Sequence, residues 1–115
     1  LPISRGLKAL FPDEKLVFIF GVLADKEYRD MAADIIPLAE KIFTVTPDSP
    51  RALTAEQLAA AINKKPGGCA ESCIGIENAI EKAMAFAGRN GNICALGSLY
   101  MVGDIKKAYN DIVQH

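Results

Sequence analysis

Residues 16–20 read Leu-Val-Phe-Ile-Phe, an unbroken apolar run in a chain whose other segments are mostly amphipathic. A run this short, rich in β-branched and aromatic residues, suits a strand buried on both faces, as in a parallel sheet. Residues 42–46 (IFTVT) and 92–96 (NICAL) have the same character. Segments of helical period lie between these runs. Strands separated by helices imply parallel pairing with right-handed crossovers, hence an α/β fold. The expected architecture is a three-layer, Rossmann-like open sheet, mostly parallel.

The helices follow from spacing and punctuation. Residues 4–11 carry Leu7, Leu10 and Phe11 at helical spacing ahead of Pro12. Residues 26–36 place Tyr28, Met31, Ala32 and Ile35 on one face, and Pro37 ends or kinks the helix, with residues 38–41 as a last turn. Thr54 is a suitable N-cap for a helix through residue 64, with Ala55, Leu58, Ala59 and Ile62 inward. Residues 69–74 fit either a loop or a short strand. Residues 75–87 are helical, with Ile76, Ala79, Ile80, Ala83 and Met84 as the buried stripe and Gly88 as terminator. A final helix runs from the Gly97-Ser98 turn to about residue 113, with Met101, Ile105, Ala108, Tyr109 and Ile112 inward.

Composition narrows the partners. The chain of 115 residues is expected to form one domain. Thirteen basic against fourteen acidic residues, with no basic stripe, disfavour nucleic acid and anionic membrane surfaces. No apolar run approaches the ~18 residues of a membrane span. The three cysteines, Cys69, Cys73 and Cys94, are too few and of the wrong number for a secreted disulfide framework, which points to the cytoplasm. The single histidine is His115, so neither a zinc site nor a Cys–His catalytic pair is expected. The chain starts Leu1-Pro2-Ile3-Ser4, without an initiator methionine, and is read as part of a longer polypeptide.

In a parallel sheet, three strand-to-helix turns share one edge: residues 21–25, 47–51 and 97–98. Gly97 and Ser98 offer backbone N–H groups and a hydroxyl at a helix N-terminus, suited to a carboxylate or phosphate; a capping serine is the commoner role. Arg51, past Asp48-Ser49-Pro50, can grip a carboxylate bidentately, pair with Asp48, or face water. Asp25-Lys26 suits a phosphate, ribose or substrate contact as well as an N-cap with a solvated lysine. Cys69 and Cys73 read as unpaired thiols in a variable connection. No Gly-x-Gly-x-x-Gly and no Gly-x-x-x-x-Gly-Lys-Ser/Thr occurs, so neither a dinucleotide fingerprint nor a P-loop is encoded.

Three of these stretches together carry a resemblance. Phe20-Gly21-Val22-Leu23-Ala24-Asp25-Lys26, Thr46-Pro47-Asp48-Ser49-Pro50-Arg51-Ala52-Leu53 and Gly97-Ser98-Leu99-Tyr100-Met101-Val102-Gly103 resemble successive motifs of folylpolyglutamate and dihydrofolate synthases, within the Mur ligase superfamily. The resemblance implies the C-terminal domain of an ATP-dependent amino-acid ligase. Such enzymes activate a folate or dihydropteroate carboxylate as an acyl phosphate, and the amine of glutamate then attacks to form an amide. It further implies that ATP and Mg are bound mainly by an N-terminal ATPase domain in cis. By motif, Gly97, Ser98, Tyr100 and Arg51 fall at the glutamate site, and Asp25, Lys26 and Asp48 at the rim of the inter-domain cleft.

The departures are specific. The family's Asp-Gly-Ala-His-Asn-Pro motif does not precede the first helix, Ser49 stands where Asn is usual, and Glu27 stands where Asp is common. The expectation is therefore a truncated glutamate-ligase domain, inactive alone. The competing expectation is a free-standing, non-catalytic α/β module that binds a nucleotide or small carboxylate.

Overall fold

The computed structural model describes residues 15–24, 27–88 and 93–97. Four strands and three helices alternate: β1 (Leu16–Gly21), α1 (Tyr28–Ile35), β2 (Ala39–Thr44), α2 (Ala55–Asn63), β3 (Ala70–Ser72), α3 (Ile76–Ala87) and β4 (Ile93–Gly97). All pairings are parallel, in the order β3-β2-β1-β4. The expected α/β sheet is present. The helices predicted over residues 4–11 and after residue 98 lie outside the described residues.

Alternation along β1 divides the core. Leu16, Phe18 and Phe20 point to one face, joined there by Ile42 and by Ala32, Ile35, Leu58 and Ile62 of α1 and α2. Val17 and Ile19 point to the other, joined by Phe43, Val45 and the Ala79, Ile80 and Ala83 stripe of α3. Every residue of β1 is buried. The side-chain period of two along a strand assigns each β1 residue to one layer or the other, giving helix, sheet, helix. Among the described residues, no helix is long and apolar enough to cross a membrane.

Both ends of β2 differ from expectation, one open choice is resolved, and one helix residue faces away from its predicted stripe. Pro37 supports only a 3-10 turn over Ile36–Leu38, and the chain is already extended at Ala39. Residues 39–41 are thus strand, not a last helical turn. Their polarity hides this, because β1 skips Glu40 in its pairing, passing from Leu16↔Ala39 to Val17↔Lys41. At the other end β2 stops at Thr44, although Val45 still donates its N–H to the Phe20 carbonyl. Residues 70–72 resolve the open choice at 69–74 in favour of a strand. Finally, Met84 is 37% exposed and leaves the predicted stripe of α3. At 3.6 residues per turn it lies about 80° around from Ile76, whereas Ala79, Ile80, Ala83 and Ala87 cluster around the sheet-facing line.

Two expected caps are present. Thr54 Oγ accepts the Gln57 N–H while the Gln57 side chain accepts the Thr54 N–H, both at 3.1 Å, a reciprocal capping box. Gly88 ends α3 with φ of 70°, a conformation that glycine adopts without steric cost.

Candidate functional site

The strand order creates a topological switch. From β1 the chain moves outward through β2 to β3, then returns to β4 on the opposite side of β1. Connections leaving neighbouring strands in opposite directions open a crevice at their carboxyl ends, where ligands of open α/β sheets collect. Here those ends are Gly21 and Gly97, which pair with each other in the β1–β4 register.

Beside this crevice the loops after β1 and β2 are joined through their backbones. The Ala24 N–H donates to the Arg51 carbonyl at 2.8 Å, and the Leu53 N–H to the Val22 carbonyl at 3.0 Å. Leu23 and Ala52 form an antiparallel bridge between them. A short antiparallel ladder therefore sits above the end of a parallel sheet. Within the second loop, the Ser49 N–H donates to the Pro47 carbonyl and the Ala52 N–H to the Ser49 carbonyl. The Arg51 N–H reaches Ser49 Oγ at 3.2 Å.

Both backbone polar groups of Arg51 are thus committed, while its side chain is exposed. Among the described residues it pairs with no carboxylate; the nearby Asp48, also exposed, is not its partner. A guanidinium on a fixed backbone, with its five donors unspent among the described residues, is suited to receive a carboxylate or phosphate.

The N-terminus of α2 has no such capacity. Its Ala55 N–H goes to Thr46 Oγ at 2.8 Å, its Gln57 N–H to Thr54 Oγ, and its Leu58 N–H to the Thr54 carbonyl. Apart from the Glu56 N–H, the donors that would attract an anion are used within the protein. The Thr44 and Thr46 contacts were not legible as functional features; the only signal was hydroxyl residues in a strand-like run where valine would serve.

The predicted residues divide into two groups. Arg51 and Asp48 lie on the ladder loop, and Gly97 ends β4 at the switch. Asp25, Lys26, Ser98 and Tyr100 lie outside the described residues; in sequence Asp25 follows Ala24, Lys26 precedes Glu27 and Ser98 follows Gly97.

Other polar chemistry is self-contained. Glu71 on β3 meets Lys82 at 2.6 Å and Lys41 at 3.5 Å, and the hydrogen bond from Lys82 holds its carboxyl below the usual range. Cys69, Cys73 and Cys94 are free thiols, each pushed above the ordinary thiol range by burial, which disfavours the reactive thiolate. Among the described residues, no three His, Cys, Asp or Glu side chains converge to hold a metal ion.

Comparison with known proteins adds a sequence-wide context. The family described as "Mur ligase, glutamate ligase domain" matches residues 3–99. The dihydrofolate synthase/folylpolyglutamate synthase of Bacillus subtilis is 28% identical over 105 residues, covering 91% of this chain and 24% of the relative. A probable bifunctional folylpolyglutamate synthase/dihydropteroate synthase of Halobacterium salinarum is 29% identical over 98 residues, covering 85% of this chain and 12% of the relative. The chain therefore spans a quarter or less of these curated relatives. Among solved structures, E. coli FolC in complex with DHPP and ADP superposes with a TM-score of 0.79 at 24% identity, covering 96% of this chain and 26% of that one. That likeness establishes the shared fold.

Proposed function

The chain belongs to the Mur ligase glutamate ligase domain family, and from that premise we propose that it is the glutamate-receiving C-terminal domain of an ATP-dependent folylpolyglutamate/dihydrofolate synthase. The observation that carries this reading is the Arg51 guanidinium, exposed on a hydrogen-bonded loop beside the Gly21/Gly97 switch point. Glutamate brings two carboxylates. One is suited to Arg51, and the other to the Gly97-Ser98 turn, with Tyr100 beside it. Asp25, Lys26 and Asp48 form the rim facing the rest of the enzyme.

The nucleotide and its metal do not fit this chain by themselves. The sequence has no P-loop, and the described residues gather no set of carboxylates for Mg. In this reading ATP and Mg are held by an N-terminal ATPase domain in cis, and folate or dihydropteroate by surfaces largely outside these residues. This chain's part is to hold glutamate so that its amine faces the activated carboxylate. The 115 residues alone, as one domain of a cytoplasmic enzyme, release no ADP and form no glutamyl amide.

The test is a titration of L-glutamate into the chain, following the Arg51 Nε–H and the Gly97 and Ser98 amides by NMR. Shifts should concentrate at these groups. Arg51→Ala should weaken binding about 10-fold or more, as loss of a charge-assisted bidentate contact does, and leave the fold intact. Equal shifts from acetate or sulfate, or shifts confined elsewhere, would favour the free-standing module that binds a nucleotide or small carboxylate. Folate-dependent ADP release by the pure chain would overturn its assignment as an incomplete ligase.

A further inference from the structure

Thr44 is the polar residue in the described core, with 0% of its surface exposed, in a run where valine would fill the same space. A buried hydroxyl is costly unless it is bonded, so its partner indicates its use. Thr44 Oγ donates to the Ala55 carbonyl at 2.7 Å, eleven residues along the chain, with the Glu71 carbonyl a longer alternative at 3.5 Å. Two residues past Thr44, Thr46 Oγ accepts the Ala55 N–H at 2.8 Å. The end of β2 therefore holds the donor and the acceptor of one residue, the first of α2.

This closes the loop of residues 45–54 at its base. Among the described residues, Val45 at the start of the loop donates to the Phe20 carbonyl, and farther along, the loop meets the β1 loop through the two ladder hydrogen bonds, Leu53 to Val22 and Ala24 to Arg51. Hydrogen bonds in a short exposed ladder are individually weak, and fixing each loop residue costs conformational entropy. A base clamp reduces that cost before the ladder forms, because the loop ends are already together.

We propose that Thr44 and Thr46 are positioning residues for Arg51, clamping Ala55 so that the 45–54 loop pairs with the β1 loop and presents the guanidinium at the switch point. Its bearing on glutamate rests on the proposed role of Arg51; the clamp itself does not.

The two parts are separated by comparing the chain with Thr44→Val and Thr44→Ser. One readout is amide hydrogen exchange at Ala24 and Leu53, the two ladder donors, against the β1 amides as internal reference. The other is L-glutamate affinity from the titration. Thr44→Val should speed exchange at Ala24 and Leu53 about 10-fold, leave β1 exchange unchanged and weaken glutamate binding several-fold. Thr44→Ser should restore both. Unchanged ladder exchange in Thr44→Val overturns the clamp, and faster exchange with undiminished glutamate affinity overturns its role in positioning Arg51. If the parent chain binds no glutamate, the Arg51 reading fails while ladder exchange still decides the clamp. Should Thr44→Val unfold the chain, Thr46→Val removes the other half of the clamp from an exposed position, with the same outcomes expected.

Discussion

The carboxyl end of β2 and the β3 edge of the sheet treat polar groups in opposite ways. At the carboxyl end, the loops after β1 and β2 bind each other through main-chain groups, and the exposed Arg51 side chain has no carboxylate partner among the described residues. At the β3 edge, side chains are spent on the protein itself. The Asn63 amide takes both the N–H and the C=O of Ala70, at 2.8 and 2.9 Å, in place of a neighbouring strand. Glu71 is shared between Lys82 and Lys41. A blocked edge with internally neutralised charge resists added strands and ligands alike, whereas a locked backbone whose cation has no carboxylate partner among the described residues fits the proposed anion contact. The difference supports the proposed site without reference to any motif.

The comparison breaks if changes at the sealed edge alter ligand response, or if changes at the ladder act only on stability. The largest effect is expected from Gly68→Ala. A Cβ there would enter the Ile62 carbonyl and come within 2.8 Å of Asn63 Cα, both backbone atoms that cannot rotate away. Unfolding in urea should show a loss of about 3 kcal/mol, with the folded fraction responding normally to glutamate. Retained stability would show that the turn after α2 can shift and that the edge is not sealed by close approach.

A smaller loss, about 2 kcal/mol, is expected for Asn63→Ala, which leaves both Ala70 backbone groups without their partner. Because the freed edge can pair with another chain, association should rise with concentration in sedimentation experiments. A variant that loses stability but stays monomeric would limit Asn63 to a local tie.

The smallest effect is a pH dependence. The carboxyl of Glu71 has a lowered pKa in the fold, chiefly through its hydrogen bond with Lys82. A depressed carboxyl contributes stability that is present above the ordinary carboxylate range and lost as pH falls through the folded-state value. The melting difference between the parent and Glu71→Gln should therefore be small at pH 7, sensitive to salt, and vanish in acid. A difference that persists in acid would mean that Glu71 acts through packing instead of charge.

Much of the architecture was legible because it rests on local rules. The 16–20 run, the Thr54 cap, the Ala55/Leu58/Ala59/Ile62 stripe and the Gly88 terminator all appear as expected. Errors fell where tertiary pairing overrode local pattern. Polar Glu40 and Lys41 became strand because β1 was beside them, and Met84 left its stripe because the sheet-facing line of α3 passes elsewhere. Arg51 was visible as a candidate, yet paired, solvated and ligand-bound arginines look the same in sequence.

The sequence by itself determined the alternation of the described strands and helices and most of their buried faces. Those properties follow from side-chain period and burial. The tertiary structure alone decided that β4 lies beside β1, that Gly21 and Gly97 meet at the switch, and that Ala24 and Val22 secure the Arg51 loop. The ladder is made by backbone N–H and C=O groups, which nearly every residue carries alike. No side-chain pattern can announce which of them will pair across 27 residues, from Ala24 to Arg51.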